Sequence, residues 1–366
     1  MKYYIIAGEA SGDLHGSNLI KKIYKQDAAA IVRCWGGNLM EAAGATLVKH
    51  YRDLAFMGFV EVLKHLRTIK KNIDFCHRDI ASFQPDVLVL IDYPGFNLRI
   101  AQWAKKQGFK IVYYISPQVW AWKETRVKAI KRDVDKMIVI LPFEVDFYRK
   151  WNLEVDYVGH PLIEVIGAEK AAKPLHSYGG KPIIAMLPGS RAQEIKMKLP
   201  VMAGIIDRFP DYHFIIAQAP SLPDILYTEI IGQRNVTLVK GQTYNLLKQA
   251  VAAVVTSGTA TLETALFGVP QIVCYKGNAV SFWLARKLVK VKYISLVNLI
   301  LDKLVVKELI QDDLTEENVA TEMKSILEDQ EHRNYILRNY EELWQKLGSK
   351  PASDNAAKII FSVAGS

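Results

Sequence analysis

The stretch Thr256-Ser-Gly-Thr-Ala-Thr-Leu-Glu263-Thr-Ala-Leu-Phe-Gly268-Val-Pro270 organises the reading of this chain. The apolar run 252–255 ahead of it reads as a buried strand. Residues 256–259 make a small-residue turn, and 260–267 carry a helical pattern. Gly268 suits a left-handed C-cap, and Pro270 forbids further helix. Residues 271–275 return as a strand. A strand feeding a Ser/Gly/Thr loop at a helix start presents free N–H groups and the positive end of the helix dipole, which together hold an anion. Glu263, about one turn into the helix, can accept hydrogen bonds from sugar hydroxyls. A loop for phosphate and a carboxylate for ribose make a nucleotide site. An ordinary αβ turn with a solvated glutamate has the same local sequence.

Length and composition set the frame. At 366 residues the chain is long for one domain, so two are expected. Half of its residues are hydrophobic, enough for a large core and against global disorder. The net charge of +9 favours an anionic partner: a nucleic acid, a phosphorylated substrate or an acidic membrane surface. Cys34, Cys76 and Cys274 are far apart and in no CxxC pattern, which argues for reduced thiols in a cytosolic protein and against a zinc site. Met1 leads straight into a strand-like run, so no signal peptide is expected. No apolar run approaches the roughly 18–20 residues of a spanning helix.

From the start of the chain, the pattern is strand, loop, helix, repeated. Residues 3–7 are a strand, followed by the small-residue loop Gly8-Glu-Ala-Ser-Gly-Asp13 and a helical run over 14–25. Its glycines at 8, 12 and 16 are not the dinucleotide fingerprint. Residues 54–63 are unusually apolar and run into a basic stretch, 64–71. That combination fits a core-facing helix with solvated lysines, or a surface that meets acyl chains and anionic headgroups.

Asp86-Val-Leu-Val-Leu-Ile-Asp92 is the clearest strand, leucine-rich and without alternation, as a buried parallel strand should be. Asp92 falls at its carboxyl end, where ligands bind in open α/β sheets. A carboxylate there can serve as a general base, or merely cap the turn before Pro94. After the strand 111–115 come Trp120 and Trp122, candidates to shape a pocket. Asp133-Val-Asp135 matches a metal-nucleotide DxD, but it precedes the strand 137–141 and so sits at the wrong edge of a parallel sheet. His15 and His160 read as structural. A low-order stretch over 167–181 is the best linker. The second half then restarts with strand 182–187, loop Pro188-Gly-Ser190-Arg191 and helix. The tail 315–347 reads as charged helix and 352–363 as a last helix. The expected architecture is α/β: a first domain over 1–165, with residues 350–366 packing back on it, and a second over 166–349. Two doubly wound sheets would then face each other across a cleft.

Taken together, Gly8-Glu-Ala-Ser-Gly-Asp13, Leu54-Ala-Phe-Met-Gly58, Ile91-Asp-Tyr-Pro-Gly-Phe-Asn97, Ser116-Pro-Gln-Val-Trp-Ala-Trp122, Leu141-Pro-Phe-Glu144, Leu187-Pro-Gly-Ser-Arg191, Ser257-Gly-Thr-Ala-Thr-Leu-Glu263 and Ser295-Leu-Val-Asn-Leu299 resemble, in order, the motifs of the lipid-A-disaccharide synthase family. The resemblance implies the GT-B fold and an inverting, metal-independent transferase with no cofactor. It implies a UDP-2,3-diacylglucosamine donor and a 2,3-diacylglucosamine 1-phosphate acceptor. By the same resemblance Asp92 is the catalytic base and Arg191 the arginine at the donor diphosphate. Ser190, Ser257, Gly258, Thr259, Glu263 and Asn298 belong to the donor site. Gly8, Ser11, Gly12, Asp13 and Trp120 are acceptor-side elements. Phe56, Met57, Phe59 and Lys64 are expected to touch the anionic inner face of the inner membrane, with no nucleic acid partner and a homodimer as a further expectation. A UDP-sugar 2-epimerase shares the two-domain plan, and a non-catalytic lipid-binding protein would share the charge.

Overall fold

A computed structural model describes residues 1–54, 66–122, 124–278, 282, 291–348 and 351–366. The chain divides after Pro161 into two units, with the C-terminal helix Ala352–Gly365 assigned to the first. The first unit carries β1 (Lys2–Ala7), β2 (Ile31–Gly36), β3 (Thr46–His50), β4 (Val87–Ile91), β5 (Ile111–Tyr114), β6 (Lys136–Val139) and β7 (Asp156–Tyr157). They form one parallel sheet in the order β3-β2-β1-β4-β5-β6-β7. The second unit carries β8 (Ile183–Leu187), β9 (His213–Gln218), β10 (Val236–Lys240), β11 (Ala250–Thr256), β12 (Gln271–Tyr275) and β13 (Glu308–Ile310). Its parallel order is β10-β9-β8-β11-β12-β13.

Parallel strands need crossover helices, and helices on both faces bury the sheet completely. That is why β4 and β8, every residue of which is buried, show no polar alternation. Each sheet reverses its winding once. The chain steps outward from β1 through β2 to β3, then returns to place β4 on the other side of β1. In the second sheet the reversal lies between β8 and β11. At such a switch point the two connections leave the sheet in opposite directions and open a crevice beyond the carboxyl ends of the strands.

The C-terminal helix lies on the helix Ala10–Gln26, held by an ion pair of 2.7 Å between Lys22 and Asp354. Lys110 Nζ donates to the carbonyl of Ala364 near its far end.

Several sequence expectations change. The Gly8–Asp13 segment is not a loop throughout: helix begins at Ala10, so Ser11, Gly12 and Asp13 form its first turn. Gly12 permits this because a Cβ there would lie only 3.0 Å from that of Ala7. The supposed linker begins later, since the helix Pro161–Ala171 runs into it. The charged tail is two helices, Glu316–Glu328 and Gln330–Leu347, broken where Asp329 accepts from the N–H groups of Glu331 and His332. The short edge strands β3 and β13 had no clear sequence signal. Asp133 and Asp135 do lie at the amino end of β6, bound to Arg132 and to Lys105 with the Ile111 N–H. All three cysteines are buried free thiols. Phe56, Met57, Phe59 and Lys64 lie outside the described residues. Among the described residues, no helix is long and apolar enough to cross a membrane.

Candidate functional site

The first switch point brings together the β1 and β4 connections. Asp92 follows β4 with φ +43°, Tyr93 with φ +48°, and Pro94 then opens the helix Pro94–Lys106. Two successive left-handed non-glycine residues each cost about 1–3 kcal/mol unless the surroundings hold them. Here they are held. Asn97 Nδ2 donates to the carbonyls of Ile91 (3.1 Å) and Asp92 (2.8 Å), and the Tyr113 hydroxyl donates to the Asp92 carbonyl. Ile115, just past β5, is left-handed as well, at φ +65°. The Tyr93 ring covers the backbone of Gly8: a Cβ on residue 8 would lie 2.3 Å from it, so only glycine fits. These bonds fix the backbone that carries the Asp92 carboxyl at the end of β4.

The Asp92 carboxyl is raised to about 7, chiefly by burial and then by the negative charge of Glu9, while the Tyr93 N–H opposes the shift. A carboxylate titrating near neutrality is matched to general-base work. Ser11 is exposed in the first turn of the Ala10–Gln26 helix, whose N-cap, Glu9, accepts the Asp13 N–H through its carbonyl.

Asp13 and Trp120 are engaged elsewhere. The buried Asp13 carboxylate accepts from the N–H groups of Gly37, Leu39 and Met40, and so anchors the start of the helix Asn38–Ala42. It is a structural cap rather than an open acceptor contact. Trp120 is a buried wall. Its indole N–H donates to Glu144 Oε1 at 3.2 Å, and its ring meets Phe143 edge-on. Glu144 itself is raised to about 7 by burial against the pull of its hydrogen bonds. His15 and His160 are buried near each other and kept neutral, burial holding them at about 4 and about 3.

The second switch point brings together the β8 and β11 connections. After β8, Arg191 is the N-cap of the helix Ala192–Ala203 and remains half-exposed, 3.4 Å from Glu194. Glu194 also accepts the Ser190 N–H. After β11, Gly258 has φ +147° and ψ −164°, a region open essentially to glycine alone, and it launches the helix Thr259–Leu266 without a side-chain cap. Gly258 and Thr259 are exposed, so this helix start is open to solvent. Glu263 accepts from the Tyr244 hydroxyl at 2.8 Å and is raised by burial. The Ser257 hydroxyl is spent on the carbonyl of Ile294.

Asn298 requires a correction. It is fully buried, and its amide is consumed within the protein. Nδ2 donates to Val306 O and to Glu308 Oε1; Oδ1 accepts from the N–H groups of Val305 and Val306. It clamps the helix Leu296–Leu301 to β13. Glu308, which no sequence signal marked, completes the clamp by accepting from the N–H groups of Ile294 and Ser295. Among the described residues, no group of three or more His, Cys, Asp and Glu side chains is placed to hold a metal ion.

Comparison with known proteins identifies the fold and the family. A family model described as lipid-A-disaccharide synthetase matches residues 3–362. The lipid-A-disaccharide synthase of Geobacter metallireducens is 38% identical, covering 99% of this chain and 97% of the relative. Among solved structures, the UDP-GlcNAc 2-epimerase of Methanocaldococcus jannaschii has a TM-score of 0.68 at 12% identity, over 99% of this chain and 100% of the other. A glycosyltransferase of Streptomyces nogalater has a TM-score of 0.60 at 18% identity, over 100% and 99%. The structural likenesses establish the GT-B fold, and the near-full-length family match establishes descent: the chain belongs to the lipid-A-disaccharide synthase family of glycosyltransferases.

Proposed function

We propose that the chain transfers a 2,3-diacylglucosaminyl group from UDP-2,3-diacylglucosamine to the 6-hydroxyl of 2,3-diacylglucosamine 1-phosphate, giving a β-1,6-linked disaccharide 1-phosphate and UDP. The observation that carries this reading is the Asp92 elbow, a carboxyl group on a strained turn with its pKa raised to about 7.

The acceptor oxygen bonds to the anomeric carbon as the bond from that carbon to the diphosphate breaks, and Asp92 takes the hydroxyl proton. The departing UDP gains negative charge. Arg191 and the uncapped helix start at Thr259 offset it, in place of a metal ion. Glu263, oriented by Tyr244, accepts from the ribose hydroxyls. The binding of UDP-GlcNAc and UDP by the Methanocaldococcus epimerase supports a UDP-sugar donor on this fold. Because both substrates carry two acyl chains, the protein works at the anionic inner face of the inner membrane, as a peripheral protein.

The test is Asp92→Asn. UDP affinity should stay at the wild-type value while turnover of acylated donor and acceptor falls about 10²–10⁴-fold. EDTA should leave the wild-type rate unchanged. A variant that still forms disaccharide at near wild-type rate removes Asp92 from the chemistry.

A further inference from the structure

One side chain grips the whole turn that follows β4. Asn97 is fully buried near the start of the helix Pro94–Lys106. Its backbone N–H donates to the carbonyl of Tyr93 at 3.0 Å, and its Nδ2 donates to those of Asp92 at 2.8 Å and Ile91 at 3.1 Å. A single residue thus holds three successive carbonyls, the last of β4 and both of the left-handed pair. The same Nδ2 lies 3.5 Å from the carbonyl of Ile6 in β1, across the switch point. Asn97 Oδ1 is sealed from solvent and, among the described residues, has no hydrogen-bond partner. An amide buried with its oxygen unused weighs against the fold.

The neighbouring bonds converge on the same peptide. The Asp92 carbonyl accepts the Tyr113 hydroxyl as well as Asn97, so both of its lone pairs are used. The Asp92 N–H points between the carbonyls of Tyr114 (3.4 Å) and Ile115 (3.3 Å), at the end of β5. Ile115 is β-branched and left-handed, a conformation such residues rarely adopt. Tyr93 and Ile115 therefore hold backbone angles that glycine or asparagine would take with less strain. Strain and a half-used amide both lower stability. Both act on the backbone of one residue, the one whose carboxyl the reaction needs in place.

We propose that Asn97 is a positioning residue for the transfer: through the carbonyls of residues 91–93 it fixes the place of the Asp92 carboxyl that receives the acceptor proton, and the Tyr113 hydroxyl backs it. Both side chains are buried, and neither touches substrate. This role presupposes the general-base reading above and adds two residues to it. A base displaced by about 1 Å loses about 10²-fold in rate. The loss falls on the chemical step and leaves UDP binding as it was, because the donor elements belong to the second unit.

The experiment uses the full chain. N97A should lower kcat about 10²-fold, with KM for both substrates within about threefold of wild type and UDP affinity by calorimetry within about twofold. Y113F removes one donor, keeps the packed ring, and should lower kcat about fivefold. A double-mutant cycle separates positioning from general damage. With Asp92→Asn already in place, N97A should lower the residual rate by less than about threefold more, since no base is left to misplace. Where N97A does not fold, Y113F and N97S, which keeps a hydroxyl donor, carry the same cycle. A second readout needs no turnover. Glu9 and Tyr113 are the titratable groups that face Asp92, and N97A removes neither. At pH 8, the gain in urea midpoint on Asp92→Asn reports how firmly the carboxyl is held out of water, and in the N97A background that gain should fall by at least about half. A kcat for N97A within about threefold of wild type overturns the assignment. So does the same fold-loss with and without Asp92, which makes Asn97 a structural group, and so does an unchanged urea gain. Wild type that forms no disaccharide, with the urea gain still halved by N97A, leaves the positioning of Asp92 standing and sinks the transferase reading instead.

Discussion

At the scale of single residues, the raised Asp92 carboxyl gives the base proposed above a pH signature in both rate and stability. As a base it works only when ionised, so kcat/KM should rise with pH up to about 7 and level off above. Glu9 contributes to the raised value through its negative charge, so Glu9→Gln should move the acid limb to lower pH without lowering the plateau. A limb that stays in place would show that burial alone sets the titration. The linkage to folding has a definite sign. The folded pKa lies above the unfolded value, so the folded chain holds the proton more tightly between about pH 4 and 7. The stability this confers is full below about pH 4 and is lost as pH rises through about 7. Above that, the ionised buried carboxylate weighs against the fold. The full linkage value is about 4 kcal/mol, and partial exposure reduces it to about 2. Asp92→Asn should therefore unfold at higher urea than wild type at pH 8 and at nearly the same urea at pH 4. The position of Asp92 at a strand end was legible in its apolar run. Its left-handed turn was not, because tyrosine at 93 disfavours that region and the bonds that hold it come from Asn97 in the next helix and Tyr113 on the neighbouring strand.

At the scale of elements, the sites are built from connections rather than from strands or helices. The Thr256–Pro270 stretch was readable because each of its signals is local. Gly268 is left-handed at φ +80°, and the Val269 N–H bonds to the Thr264 carbonyl and the Gly268 N–H to that of Ala265, as a terminating glycine allows. Gly258 has open space around it, so Gly258→Ala brings no clash and acts through the backbone alone. It should destabilise the fold by about 1–3 kcal/mol and weaken UDP binding, because the helix start must rotate to relieve the strain. Asn298 was misread because its partners at 305–308 are close in sequence but invisible to any motif. Asn298→Ala strips buried N–H groups of Val305 and Val306 of their acceptor and should cost about 3 kcal/mol or more in urea unfolding. A nucleotide contact alone would leave unfolding untouched. The edge strands escaped notice for a related reason: β3 has no fully buried residue, and β13 is three residues long, so neither shows a core strand's unbroken apolar run.

At the scale of the whole molecule, the net charge of +9 bears on the proposal that the substrates are acylated and reside in a bilayer. The helix Leu66–Phe83 begins with exposed Arg67, Lys70 and Lys71 and carries Phe75 at 40% exposure. Basic side chains near an anionic surface contribute about 1 kcal/mol each, and this attraction is screened within a Debye length of about 10 Å at 0.1 M salt. The protein should therefore sediment with vesicles containing phosphatidylglycerol at 0.05 M salt and be largely released at 0.5 M. Reversing two charges together, in Lys70→Glu with Lys71→Glu, should reduce vesicle binding at least tenfold while leaving UDP affinity unchanged, since that helix belongs to the first unit and the donor elements to the second. Turnover should then fall for vesicle-borne substrates and hold for the same substrates dispersed in neutral detergent. Equal binding to neutral and anionic vesicles, or equal loss of turnover in both presentations, would remove electrostatic docking from the account and leave the positive charge to the phosphates alone.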